Sequence, residues 1–137
     1  MSEFYPMPSF ATLAVADIGA SVAWYAALGF SNVFEMPVLV HLRWARYADL
    51  LLRPDPALAP PKGQGIALTF AVSEKLDELA ERARAGGARF LREPGDRPWN
   101  ARDFSIADPD GYALIFTMGP LNRDLDFAQV IANVRKP

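Results

Sequence analysis

Few side chains in this 137-residue sequence can perform covalent or metal chemistry. It has no cysteine, which removes thiolate nucleophiles, disulfides and every thiolate metal site. A single histidine, His41, removes multi-histidine metal sites and leaves a serine–histidine arrangement without support. His41 follows Val38-Leu39-Val40, where it can act as a lone acid–base or hydrogen-bonding group or simply support the packing. Arg43, Arg46 and Arg102 can hold an anionic group, or pair with Asp49 or Asp103. Glu35, Asp49 and Asp103 are the carboxylates available to a cation. Trp44, Tyr47, Trp99 and Phe104 fall outside the helical stripes, where an aromatic face can stack on a planar ligand or fill a core. The chain contains no G-x-S-x-G, no G-x-x-x-x-G-K and no G-x-G-x-x-G at a strand-to-helix turn.

The elements that must position these residues come as a duplication. Thr12-Leu13-Ala14-Val15 aligns with Thr69-Phe70-Ala71-Val72 at an offset of 57, and Gly29 and Gly86 repeat that offset. Each copy reads strand then helix. Residues 10–15 alternate as a half-buried strand, Asp17 caps a helix with Ile18, Val22 and Tyr25 on one stripe, and Gly29 ends it. In the second copy 66–72 is the strand, Ser73 the cap, and Leu76, Leu79, Ala80 and Ala83 the apolar stripe before Gly86-Gly87. Extended segments follow at about 30–36, 39–47 and 49–53, and at about 88–92, 101–107 and 112–117. Asp108-Pro109-Asp110-Gly111 has the composition of a tight turn. The predicted organisation is one domain over 1–137. It comprises a first βαβββ module at 8–53, a proline-rich linker at 54–64, a second module at 65–117 and a helical tail at 118–137.

Composition narrows the function. The chain is 51% hydrophobic with a net charge of −2, a globular balance without the basic footprint of a nucleic-acid binder. No apolar run approaches the ~18 residues of a membrane span. The start, Met1-Ser2-Glu3-Phe4, lacks the basic and apolar segments of a secretory signal, so a cytoplasmic location is expected.

Leu13-Ala14-Val15-Ala16-Asp17, then Ser21-Val22-Ala23-Trp24-Tyr25 and Leu28-Gly29-Phe30, resemble the opening strand, helix and exit of the vicinal oxygen chelate superfamily. Trp99-Asn100-Ala101-Arg102-Asp103-Phe104 through Asp108-Pro109-Asp110-Gly111-Tyr112 resembles its closing hairpin. That superfamily includes glyoxalase I, bleomycin-resistance proteins and extradiol dioxygenases. The resemblance spans roughly residues 8–117 and implies an α+β fold of two tandem βαβββ modules with curled mixed sheets. It also implies a homodimer. In the enzymes of the family, His, Gln or Glu side chains from four strands hold a divalent metal. Here those positions fall on Phe10, Ala67, Ile115 and the neighbourhood of Leu50, Leu51 and Leu52, none of which offers a lone pair to a cation.

No metal and no cofactor are therefore expected, and no catalytic constellation is recognisable. Alternation places Phe10, Thr12, Thr69 and Ile115 on the concave face of the sheets, with Ala14, Ala71, Ala113 and Thr117 beside them. The expected binding residues are Phe10, Thr12, His41, Trp44, Tyr47, Thr69, Trp99, Arg102, Phe104 and Ile115. The leading expectation is a protein of the bleomycin-resistance kind that sequesters an apolar or aromatic small molecule, such as an antibiotic or natural product. The alternatives are a glyoxalase- or dioxygenase-like enzyme, with a non-standard metal site or metal-free acid–base chemistry, and a non-catalytic partner module.

Overall fold

A computed structural model describes Tyr5, residues 9–57 and residues 65–136. The strands are β1 (Ala11–Val15), β2 (Ser31–Met36), β3 (Leu39–Ala45), β4 (Ala48–Pro54), β5 (Ala67–Ala71), β6 (Arg89–Arg97), β7 (Ala101–Ala107) and β8 (Ala113–Met118). The helices are α1 (Ile18–Leu28), α2 (Leu76–Ala85) and α3 (Phe127–Val134). The strands form two four-stranded sheets ordered β1-β4-β3-β2 and β5-β8-β7-β6. In each, one parallel pair (β1 with β4, β5 with β8) joins an otherwise antiparallel sheet. The chain divides into two compact units, one of Met1–Ile66 with Asp108–Tyr112, the other of Ala67–Ala107 with Ala113–Pro137. Of the expected linker, residues 58–64 lie outside the described residues.

In the first unit Asp17 caps α1 through its side chain, which accepts the Ala20 N–H at 3.0 Å. Gly29 ends the helix at φ 119°, a left-handed value that glycine adopts without a Cβ penalty. The buried face of α1 is Ser21, Tyr25 and Leu28, rotated from the expected stripe of Ile18, Val22 and Tyr25. The rotation has a polar cause. Ser21 Oγ donates to Asp110 Oδ2 at 3.4 Å, and Tyr25 Oη donates to Asp108 Oδ2 at 2.7 Å. Asp108 Oδ1 accepts the N–H groups of Asp110 and Tyr112, both at 2.9 Å, which closes the expected turn. Leu13, Val15, Val40, Leu42, Leu50 and Leu52 complete this core. Fully burying such a side chain contributes roughly 1.5–3 kcal/mol relative to leaving it in water.

The second unit repeats the plan. Leu76, Leu79, Ala80 and Ala83 of α2 are buried as the spacing predicts, over Phe70, Phe104, Ile106, Leu114 and Phe116. The cap differs from expectation. Lys75, at φ 61°, precedes the helix without a side-chain capping bond, where Ser73 had been expected. β6 is longer than expected, running to Arg97 through two register shifts. The tail helix is shorter, and Asp126 and Gln129 form a reciprocal capping box at its start.

Candidate functional site

The face of the second sheet away from α2 is built from one residue in two along each strand. Thr69 pairs with Ile115, Ile115 with Ser105, and Ser105 with Arg92, so these four form a row across the sheet. A second row runs Ala71, Thr117, Asp103 and Gly95. Above this floor stands Trp99, in the turn between β6 and β7. The turn is fixed by Asn100, at φ 67°, whose side-chain amide accepts the Asn122 N–H and donates to the Asn122 carbonyl, both at 2.9 Å. Asparagine is among the few side chains that tolerate that backbone conformation.

Floor and tryptophan enclose an open cavity of about 270 Å³. Thr69, Ile115 and Thr117 give it an aliphatic and hydroxyl floor, Ser105 and Asp103 a polar side, and Arg92 and Trp99 a rim. The Arg92 guanidinium lies 5.6 Å from the Trp99 ring centroid, within cation–π range. Asp103 is buried, and its Oδ1 accepts from Arg97 Nε at 2.7 Å. A second cavity, of about 530 Å³, shares Trp99 and Thr117 and extends to Pro120, Leu125, Phe127 and Val130.

The matching row of the first sheet is Thr12, Leu51, His41 and Phe34. Beside it, Asp49 is almost wholly buried and lies between His41 and Arg43. His41 Nε2 is 2.6 Å from Asp49 Oδ2, while Arg43 donates from Nε to Oδ1 at 2.9 Å and from its terminal nitrogen to Oδ2 at 3.0 Å. Burial alone would raise the Asp49 pKa, but the hydrogen bonds from Arg43 and His41 outweigh it and hold the carboxyl below the ordinary value. Arg43 also lies 4.3 Å from the Tyr5 ring centroid, and the Tyr5 hydroxyl accepts the Tyr47 N–H at 2.7 Å.

Thr69, Trp99 and Ile115 are thus brought together around one cavity, and Thr12 and His41 share a row on the first sheet. Phe10 is exposed just before β1, and Tyr47 is exposed in the turn between β3 and β4. Three expectations are corrected. Phe104 has no exposure and stacks on Phe116 at 5.3 Å beneath α2, because strand parity gives Asp103 and Ser105 to the open face. Trp44 packs 5.2 Å from the buried Phe30, on the α1 side of its sheet. Arg102 turns toward α2 and bonds Asp77 through Nε at 2.9 Å and Asp96 through a terminal nitrogen at 2.9 Å. Arg92 escaped the sequence reading because the expected strand ended there. Its alternation with the Ser105 row becomes visible only once β6 continues past Pro94 and Gly95.

At the positions where the resemblance expects metal ligands stand Phe10, Ala67, Ile115 and the run Leu50, Leu51 and Leu52, and among the described residues no group of three or more His, Cys, Asp or Glu gathers in a metal-holding arrangement. Asp49, the carboxylate that His41 touches, has both oxygens bonded to arginine or histidine nitrogens. No helix among the described residues is long and apolar enough to cross a membrane.

The sequence matches one family model, described as Glyoxalase/Bleomycin resistance protein/Dioxygenase superfamily, over residues 8–116. No curated protein matches it significantly. Among solved structures, a glyoxalase/bleomycin resistance protein/dioxygenase from Nocardioides is 28% identical, with a TM-score of 0.65 and 85% of each chain covered. A bleomycin-binding protein complexed with bleomycin is 20% identical, with a TM-score of 0.67, covering 83% of this chain and 99% of that one. The bleomycin resistance determinant encoded on transposon Tn5 is also 20% identical, with a TM-score of 0.69, covering 83% and 98%. These last two share the fold of curled, open sheets, and their identity carries the comparison no further. With the family model spanning both sheets and the paired βαβββ plan repeated in its neighbours, the chain belongs to the glyoxalase/bleomycin resistance/dioxygenase superfamily, the vicinal oxygen chelate group.

Proposed function

We propose that this protein binds a planar, largely apolar small molecule on the open face of its second sheet and releases it unchanged, without a metal or other cofactor. The observation that carries this reading is the cavity beneath Trp99, an aromatic wall over an Ile115 and threonine floor. Apolar concavities with a few convergent polar groups are the usual form of small-molecule sites. The metal-free part rests on donor chemistry, since Phe10, Ala67, Ile115 and the leucines at 50–52 have no lone pair to give. Small-molecule binding has a precedent in the fold neighbour that binds bleomycin. Bleomycin itself is a poor candidate, because a net charge of −2 is a weak match to a cationic drug. Thr69, Trp99 and Ile115 make the contacts in this reading, and Phe10, Thr12, His41 and Tyr47 belong to the first sheet's counterpart. A cytoplasmic homodimer is part of the same proposal, since the sheets have unpaired outer strands that a second copy can cover.

The test is a titration with the neutral fluorophore N-phenyl-1-naphthylamine, followed by recovery of the probe. We expect saturable binding, weakened about tenfold in Trp99→Ala, since one aromatic contact with its buried area is worth ~1.4 kcal/mol. Exposure to Mn, Fe, Co, Ni or Zn followed by desalting should leave far less than one metal per chain. Binding indifferent to Trp99, or one tight metal per chain, would overturn the reading. A second reading, metal-free acid–base catalysis, is favoured by the 2.6 Å His41–Asp49 contact alone. Turnover of a candidate ligand that His41→Ala abolishes would establish it in place of sequestration.

A further inference from the structure

We infer that the molecule held beneath Trp99 carries an anionic group, a carboxylate or sulfonate, received by Arg92. The inference rests on the reading of this cavity as the ligand site. Its basis is an imbalance of charge on the second sheet. Each carboxylate of β6 and β7 already has its own arginine. Glu93 takes Arg84 at 2.6 Å, Asp96 takes Arg102 at 2.9 Å, and Asp103 takes Arg97 at 2.7 Å. Arg92 has no carboxylate partner among the described residues, and its guanidinium lies over the face of Trp99 at the cavity rim. Arg97 neutralises Asp103, so Arg92 gives the cavity a net positive charge.

Hydrogen bonding points the same way. The hydroxyls of Thr69, Ser105 and Thr117 line this cavity and make no hydrogen bond among the described residues. Hydroxyls rotate to donate, so all three can face an anion's oxygens. A guanidinium offers two parallel N–H donors to a carboxylate or sulfonate. Ser105 and Arg92 share a register position across β7 and β6, so a donor from each strand converges on one end of the cavity.

The experiment compares two fluorophores of the same hydrocarbon skeleton, 8-anilinonaphthalene-1-sulfonate and the uncharged N-phenyl-1-naphthylamine, on the full chain. A charge-assisted contact at a partly solvated rim should favour the sulfonate by about tenfold. Arg92→Gln should abolish that preference without weakening the neutral probe, and Arg92→Lys should restore part of it. Because Arg92 is exposed, neither substitution disturbs the core. Phe127→Ser, in the adjoining cavity, should leave the preference intact. If both probes bind equally and both weaken in Trp99→Ala, the anionic inference falls and the cavity remains the site. A preference that survives Arg92→Gln overturns the inference as well. If neither probe responds to Trp99→Ala, the cavity reading itself has failed.

Discussion

The phenol of Tyr25 is a buried donor in the first unit, and Tyr25→Phe isolates it. The ring is wholly buried, with Phe30 5.1 Å and Trp24 4.9 Å away, and phenylalanine preserves both contacts. Only the 2.7 Å bond to Asp108 is lost, leaving Oδ2 without a donor while Oδ1 keeps its two backbone N–H groups. A hydrogen bond to a buried charged group is worth about 1.5–3 kcal/mol. With a urea slope of roughly 2 kcal/mol/M for a small protein, the unfolding midpoint should fall by about 1 M at neutral pH. Burial raises the Asp108 pKa above the ordinary carboxylate value, and the bond from Tyr25 partly offsets that rise. The folded state therefore holds this proton more tightly than the unfolded chain does. The stability contributed by that proton is complete below the unfolded pKa and is lost as pH rises through the folded one. Removing the phenol raises the folded pKa further, so the deficit of the variant should be largest above it and narrow as pH falls. Urea melts followed by circular dichroism at about pH 7.5 and about pH 4.5 measure both effects. A midpoint shift below about 0.2 M, or a deficit that does not narrow on acidification, would refute the account of Tyr25 as the donor that makes Asp108 tolerable.

Two further outcomes are expected. Asp49→Asn should cost about 2 kcal/mol at neutral pH, a buried-pair value reduced because Arg43 and His41 are partly solvated. Since the folded pKa of Asp49 is depressed, its contribution is present above the unfolded pKa and disappears as pH falls through the folded one, so thermal melts of parent and variant should converge in acid. Arg102→Gln should leave affinity for either naphthalene probe within about twofold of the parent, because Arg102 faces α2; a larger loss would return it to the binding surface.

Periodicity and local backbone chemistry were readable from the sequence. The offset linking Thr12 to Thr69 reappears as two strands with matching parallel partners, Leu51 and Ile115. The stripe of α2, the Asp17 cap, the Gly29 stop and the turn at Asp108–Gly111 rest on interactions within a few residues, which a sequence states directly. Side-chain type misled where strand parity decides. Phe104 looks like a stacking surface, yet a one-residue step assigns it to the core and Asp103 to the open face, a distinction set by register. Arg92 was hidden by Pro94 and Gly95, which read as a strand end but are absorbed by register shifts on an outer strand. The rotation of α1 depends on Asp108 and Asp110, far along the chain, and no local pattern announces such a partner.

The make-up of the first unit has a consequence for how the chain acquires its structure. Its closing strand pair sets Ala11 against Leu50, and the buried hydroxyls of Ser21 and Tyr25 donate to Asp110 and Asp108. During synthesis the N-terminal half therefore emerges long before the groups that complete it. Contacts between distant positions must be reached against loop-closure entropy, so folding of this unit is slow compared with a helical bundle of equal size. The tight turn around Asp108 is then the last element of the first unit to be made, and its arrival commits the earlier half to its final packing. Ribosome-bound chains ending before it should be open to protease, and those extending well beyond it should be protected.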